Sequence, residues 1–260
     1  MTYNEIFGRY LYIDPNQYVK DLDLDRLITP FQIIPFEEKI LQNYLTSINI
    51  RFGNALEAVV KQYLIERGAQ YIDRHFVSGK DCDQLFIYNG KTVLIEQKVR
   101  DDHDSTKKVG QIENYLDKKS NLVNALCCCW FIDPNFQKNK KYYLSQIGDE
   151  LYYGKEIEHF LEKVFEDNRC EGLYNFLQLA IQNYKATLSL KSLPLNINYK
   201  ELGTATLYKL FKNSSIRESV SNIFFDGHIP YKEIYDYAKK ARKISATEKL
   251  VALLEEEGNV

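Results

Sequence analysis

Glu96 and Lys98 end the apolar run Val93-Leu94-Ile95, and their two-residue spacing puts a carboxylate and an ammonium on one face of a strand. Asp83 lies in the segment Gly79-Lys80-Asp81-Cys82-Asp83-Gln84-Leu85-Phe86-Ile87, just ahead of an Asn89-Gly90 turn. Antiparallel pairing across that turn brings Asp83 and Glu96 to neighbouring strands at one end of a sheet. Two acids and a lysine so placed suit hydrolysis of a phosphodiester, which needs an activated water, neutralised charge on phosphorus and a stabilised leaving oxygen. A magnesium ion held by Asp83 and Glu96, with the backbone carbonyl of Gln97 completing its shell, meets those needs and leaves positions for water and a phosphate oxygen. Lys98 then orients the water or pairs with the phosphate. Asp81 competes for the first acid position from the same strand face; Asp83 is preferred because it adjoins the apolar strand.

Several elements must position these groups. Phe52, Leu56, Val59, Val60, Tyr63 and Leu64 recur at helical spacing, which predicts an amphipathic helix over Asn54 to Gly68 with Gly68 as its C-terminal cap. Strands follow at Tyr71 to Val77, Cys82 to Tyr88 and Lys91 to Lys98. Ser105 can cap a further helix with Val109, Ile112, Tyr115 and Leu116 on its apolar side. Leu122 to Ile132 reads as a buried central strand ended by Asp133-Pro134. Helix and strand in this order predict an α/β fold with helices packed on a mixed sheet. Pro15, Pro30 and Pro35 limit residues 1–50 to short helices and loops. Beyond residue 150, helical spacing dominates at Glu156 to Phe165, Gly172 to Tyr184, Tyr231 to Lys243 and Ser245 to Glu257. The segments read as 1–50, 51–150 and 151–260, with a soft boundary near 150.

Composition narrows the setting. A charged fraction of 27% with 45% hydrophobic residues is ordinary for a globular chain, and no apolar window is long enough to predict a membrane span. Met1-Thr2-Tyr3-Asn4-Glu5 lacks the basic start of a secretory signal, and Cys127-Cys128-Cys129 fits buried thiols in a reducing compartment better than disulfides. The cytoplasm of a bacterium is the expected location. A net charge of -2 is low for a non-specific nucleic-acid binder, so any basic surface must be local. Lys138 to Lys141 and Lys239 to Lys243 read as solvated faces.

The segment from about residue 51 to 132 resembles the PD-(D/E)xK nuclease core, with Asp83 as the first acid, Glu96-Gln97-Lys98 as the (D/E)xK and Cys82 where the name has proline. The resemblance implies a restriction-endonuclease-like sheet and a requirement for Mg2+, with Mn2+ able to substitute. It also implies that Glu57, on the helix before the sheet, is an additional acid near the metal; Glu57 could equally be the i,i+4 partner of Lys61. Gln111 and Tyr115 form a Q-x-x-x-Y pair similar to that of RecB-like nucleases. Arg100 to Lys108 is similar in character to segments that contact DNA in type II restriction endonucleases, which makes Arg100, His103, Ser105, Thr106, Lys107 and Lys108, with Gln111 and Tyr115, the expected DNA contacts.

The function this implies is that of a type II restriction endonuclease cutting duplex DNA to 5′-phosphate ends. Its expected companions are a second copy of the chain, because a palindromic site is met by a two-fold dimer, and a DNA methyltransferase as genetic partner. A RecB-like or junction-resolving nuclease and a non-catalytic DNA-binding protein are the alternatives. On this reading Glu96 and Lys98 hold metal and water rather than pack, so replacing either should spare the fold.

Overall fold

The computed structural model describes residues 2–27, 33–72, 77, 79–187 and 197–256. In chain order the elements are α1 (Tyr3–Leu11), α2 (Pro15–Asp21), α3 (Leu24–Leu27), α4 (Phe36–Ile65), β1 (Gln70–Tyr71), β2 (Gln84–Tyr88), β3 (Lys91–Lys98), α5 (Ser105–Ser120), β4 (Leu126–Phe131), α6 (Lys140–Ile147) and β5 (Leu151–Tyr153). Then come α7 (Ile157–Phe165), α8 (Leu173–Thr187), α9 (Tyr199–Leu202), α10 (Thr204–Phe211), α11 (Arg217–Phe224), α12 (Tyr231–Lys240) and α13 (Ser245–Glu256). The fold is α/β with a five-stranded mixed sheet ordered β1-β2-β3-β4-β5. Strands β1, β2 and β3 pair antiparallel, whereas β3, β4 and β5 pair parallel. The parallel step from β3 to β4 requires a crossover, and α5 provides it.

Asn89 and Gly90 both have positive φ, at 48° and 75°, so a two-residue turn joins β2 to β3 with Tyr88 opposite Lys91. That turn sets the register of the whole pair, down to Gln84 opposite Ile95. Alternation then sorts the side chains onto two faces. Phe86, Val93, Ile95, Cys128, Trp130 and Ile132 join a core with residues of α1, α4, α7 and α8. Leu85, Leu94, Cys127, Cys129 and Phe131 join a second core with Ile112 and Tyr115 of α5 and Tyr143 and Ile147 of α6. The three adjacent cysteines are therefore split between faces, and all five cysteines are buried free thiols. Burial pushes the Cys127 thiol up to about 11 and Cys128 and Cys129 well above their ordinary value.

The chain divides into two compact units, one of residues 1–11 and 50–188 that carries the sheet, the other of residues 12–49 and 189–260. The second unit is helical, with Leu207, Leu210, Phe211, Val220, Phe224, Ile234 and Leu250 among the residues of its core. The boundary expected near residue 150 falls within the first of these units. The apolar faces of α7 and α8 are covered by the sheet, through Ile157, Leu161, Val164, Leu173 and Leu177, and so belong with it.

Local corrections have physical causes. The helix expected from Asn54 begins at Phe36, because Pro35 sits ahead of the first turn, where a missing N–H is harmless, and no proline follows within the helix. Its end is as read: Gly68, at φ 98°, donates to the Ile65 carbonyl and Ala69 to that of Leu64, which is a Schellman closure. Residues 73–76 of the expected strand Tyr71 to Val77 lie outside the described residues. Asp104, not Ser105, caps α5, its carboxylate accepting from the Lys107 N–H at 2.8 Å. The buried side of α5 runs through Ile112, Tyr115 and Lys118, leaving Val109 and Leu116 more than one-third exposed. Strand β4 starts four residues later than read, after a turn at 121–124, and the short edge strand β5 was not anticipated. No described helix is long and apolar enough to cross a membrane.

Candidate active site

Asp83 stands one residue before the last ladder pair of the β2–β3 hairpin, which brings its carboxylate to Glu96 and Lys98 at the end of β3. Lys98 Nζ donates to Asp83 Oδ2 at 2.8 Å and to Glu96 Oε1 at 2.9 Å. The Gln97 N–H also donates to Asp83 Oδ2, at 2.8 Å, while the Gln97 carbonyl accepts from Lys98 Nζ at 3.1 Å. The three side chains are 13%, 5% and 26% exposed for Asp83, Glu96 and Lys98, so the cluster is largely desolvated but open at the lysine. Asp81 is exposed and lies outside β2.

Gln97 points to the opposite face, as alternation requires. Its Oε1 accepts from the amide of buried Gln84 at 3.2 Å, and Gln84 also donates to the Glu57 backbone carbonyl at 2.9 Å and accepts from the Tyr71 hydroxyl. That chain ties α4, β1, β2 and β3 together just behind the cluster. Glu57 and Asp83 line one cavity of about 360 Å3 together with Tyr10, Asn54, Lys61 and Tyr71.

The structure adds one group that the sequence pattern did not single out. Lys118 on α5 is 1% exposed, and its Nζ donates to Glu96 Oε2 at 2.7 Å. Each oxygen of Glu96 therefore carries an ammonium. The signal was available in the spacing, since Lys118 is three residues after Tyr115 and seven after Gln111, on the side of α5 that faces the sheet. Glu96 thus also packs, as counter-ion to a buried lysine.

Electrostatics within the cluster are unequal. Burial opposes ionisation of Glu96, but Lys98 and Lys118 together outweigh it and hold its carboxyl below the usual range. Burial and the neighbouring Glu96 charge raise Asp83, against the pull of Lys98. Lys98 is raised despite burial because two carboxylates face it.

The residues present fit a divalent cation of the hard type. Two carboxylates and a carbonyl oxygen are the donors Mg2+ accepts, and this ion is commonly bound through one or two carboxylates while keeping several waters. Among the described residues no group of three or more acids, histidines or cysteines converges in a way that could hold a metal ion.

Beyond β3 the chain is held by Asp101, which is fully buried. Its carboxylate accepts from the Asn139 N–H, the Asn139 amide and the Tyr153 hydroxyl, each at 2.9 Å, and Asn139 also donates to the His103 carbonyl. Tyr143 donates to Gln111 Oε1 at 3.0 Å, which orients the Gln111 amide so that its Nε2 donates to His103 Nε2 at 3.1 Å. Burial lowers the pKa of the His103 ring. Tyr115 is fully buried, its hydroxyl donating to Glu150 Oε2 at 2.8 Å, so it offers no surface to a nucleic acid and leaves the expected contact set.

Arg100, Thr106 and Lys107 are exposed, with Arg100 stacked over Phe136 at 4.8 Å. Lys108 lies 4.7 Å over the Tyr142 ring and shares a concavity of about 520 Å3 with Lys138, Lys140 and Lys141. The run read as a solvated face thus joins the lysine at the start of α5 in one basic patch. Neither a protein-family model, nor a curated protein, nor a solved structure matches the chain.

Proposed function

We propose that this chain is a Mg2+-dependent endonuclease of the PD-(D/E)xK type, most like a type II restriction enzyme, that hydrolyses duplex DNA at a specific site to leave 5′-phosphate ends. The observation that carries the reading is the convergence of Asp83, Glu96 and Lys98, with Lys98 Nζ within 2.9 Å of both carboxylates. The antiparallel hairpin continuing into parallel β4 across α5 is consistent with a restriction-endonuclease-like core.

Asp83, Glu96 and the Gln97 carbonyl would hold the cation, which supplies Lewis acidity and a water of lowered pKa. Lys98 is the side chain of the cluster with most exposure, and it can hold a water or a phosphate oxygen at Nζ. Glu57 lines the same cavity as Asp83 and would add negative charge there. The basic patch around Lys108 offers local attraction for a phosphate backbone despite the net charge of -2. A homodimer on a palindromic site, a partner methyltransferase and a bacterial cytoplasmic setting belong to the same proposal. Gln111 and Tyr115 are engaged within the protein, so they do not favour the RecB-like alternative.

The direct test is incubation of supercoiled plasmid with the protein and Mg2+. Cleavage that stops with EDTA and is lost in Lys98→Ala supports the reading. Cleavage that survives both would overturn it.

A further inference from the structure

Lys118 has no role in the chemistry proposed above, because at 1% exposure its ammonium cannot reach a substrate. A plain packing role does not account for it well, since an apolar side chain would fix α5 to β3 without the penalty of desolvating a charge. What Lys118 changes is the charge of the site. Asp83, Glu96, Lys98 and Lys118 sum to zero in their ionised forms, and Lys118 occupies Glu96 Oε2 at 2.7 Å while Lys98 occupies Oε1. A dication entering this cluster gains two carboxylates but meets two ammoniums at the same oxygens. A phosphodiester brought to the site adds the missing negative charge.

We propose that Lys118 is a positioning residue that holds Glu96 and neutralises the cluster, so that the site takes up a divalent cation weakly by itself and strongly only together with a phosphodiester. The inference rests on the reading of Asp83 and Glu96 as metal ligands. It assigns Lys118 the task of keeping a hydrolytic metal out of the site until DNA is present.

The test is Mn2+ binding to the full chain without DNA, followed by the loss of the free-ion electron paramagnetic resonance signal. Lys118→Gln should bind Mn2+ roughly tenfold or more tightly than the unmodified chain, because a fixed positive charge has left the neighbourhood of a dication. Lys118→Arg, which retains that charge, should not. Unchanged or weaker binding by folded Lys118→Gln overturns the inference. Should that variant fail to fold by circular dichroism, the unmodified chain decides: its Mn2+ affinity must rise when a phosphorothioate duplex resistant to cleavage is added, and no rise overturns the proposal. Mn2+ binding that is the same in the unmodified chain and in Asp83→Asn would overturn the metal reading, and the inference with it. Binding lost in Asp83→Asn but indifferent to Lys118→Gln would overturn the inference alone.

Discussion

Glu96→Gln should destabilise the sheet-bearing unit well beyond an ordinary surface change. The substitution keeps the shape but removes the charge opposite Lys118, whose side chain is 1% exposed against 5% for Glu96. Breaking a buried ion pair from one side costs about 3–5 kcal/mol, because the remaining charge is left desolvated without a counter-ion. For a chain of this size that is a fall of roughly 6–20 °C in melting temperature. Lys98 retains Asp83, so the loss is assigned to the Lys118 pair. Removing both partners in Glu96→Gln/Lys118→Met should recover much of the loss, with a coupling of about 2 kcal/mol or more. Trp130 is the sole tryptophan, is fully buried on β4 and stands opposite Gln97 of β3, so its fluorescence in urea reports this unit specifically. The pair also has a pH signature. The folded pKa of Glu96 lies below its ordinary 4.5, so its contribution is present above that value and is lost as pH falls through the folded pKa; Glu96→Gln should remove this acid limb. A single-variant loss under about 1 kcal/mol, or strictly additive effects in the double variant, would show that Glu96 and Lys118 are not a coupled buried pair.

Replacing Asp83 with Asn should abolish cleavage, while Asp81→Asn should have a small effect, since only Asp83 reaches Lys98 and the Gln97 N–H; the opposite ranking in a plasmid assay would move the first acid by two residues. Truncating Lys108, Lys138 and Lys141 together should lower the slope of DNA affinity against salt by about one unit for each phosphate these lysines neutralise, and an unchanged slope would separate the basic patch from the DNA path. His103 has a folded pKa below its ordinary 6.5 because of burial, so protein stability should fall as pH drops from 6.5 through that lower value. His103→Asn should flatten this limb in urea titrations at stepped pH, and an unaltered limb would assign it elsewhere.

The hairpin was legible because two residues determine it: Asn89 and Gly90 accept positive φ, the turn fixes the register, and the register carries Asp83 to Glu96. The spacing of Lys118 from Gln111 and Tyr115 marks the sheet-facing side of α5, but hydrophobic periodicity counts lysine as a surface residue, and only a counter-ion on the facing strand reverses that. Val109 and Leu116, on the apolar side expected for α5, are more than one-third exposed, while Lys118 takes the buried position. Pro35, expected to limit residues 1–50 to short helices, instead precedes the first turn of the long helix α4. Strand β5, three residues long, carries too short a pattern to read, and Asp101 looked like one acid in a polar loop until Asn139 and Tyr153, distant in sequence, closed around it.

The products formed from a long linear duplex in Mg2+ decide whether this chain is a site-specific endonuclease. A small set of discrete fragments is expected that persist with time, carry 5′-phosphate ends, and disappear with Asp83→Asn or EDTA, because an enzyme faced with a vast excess of non-cognate sequence must couple recognition to cutting. Progressive shortening from the ends, cutting confined to branched DNA, or binding without cleavage under Mg2+ and Mn2+ alike would contradict it.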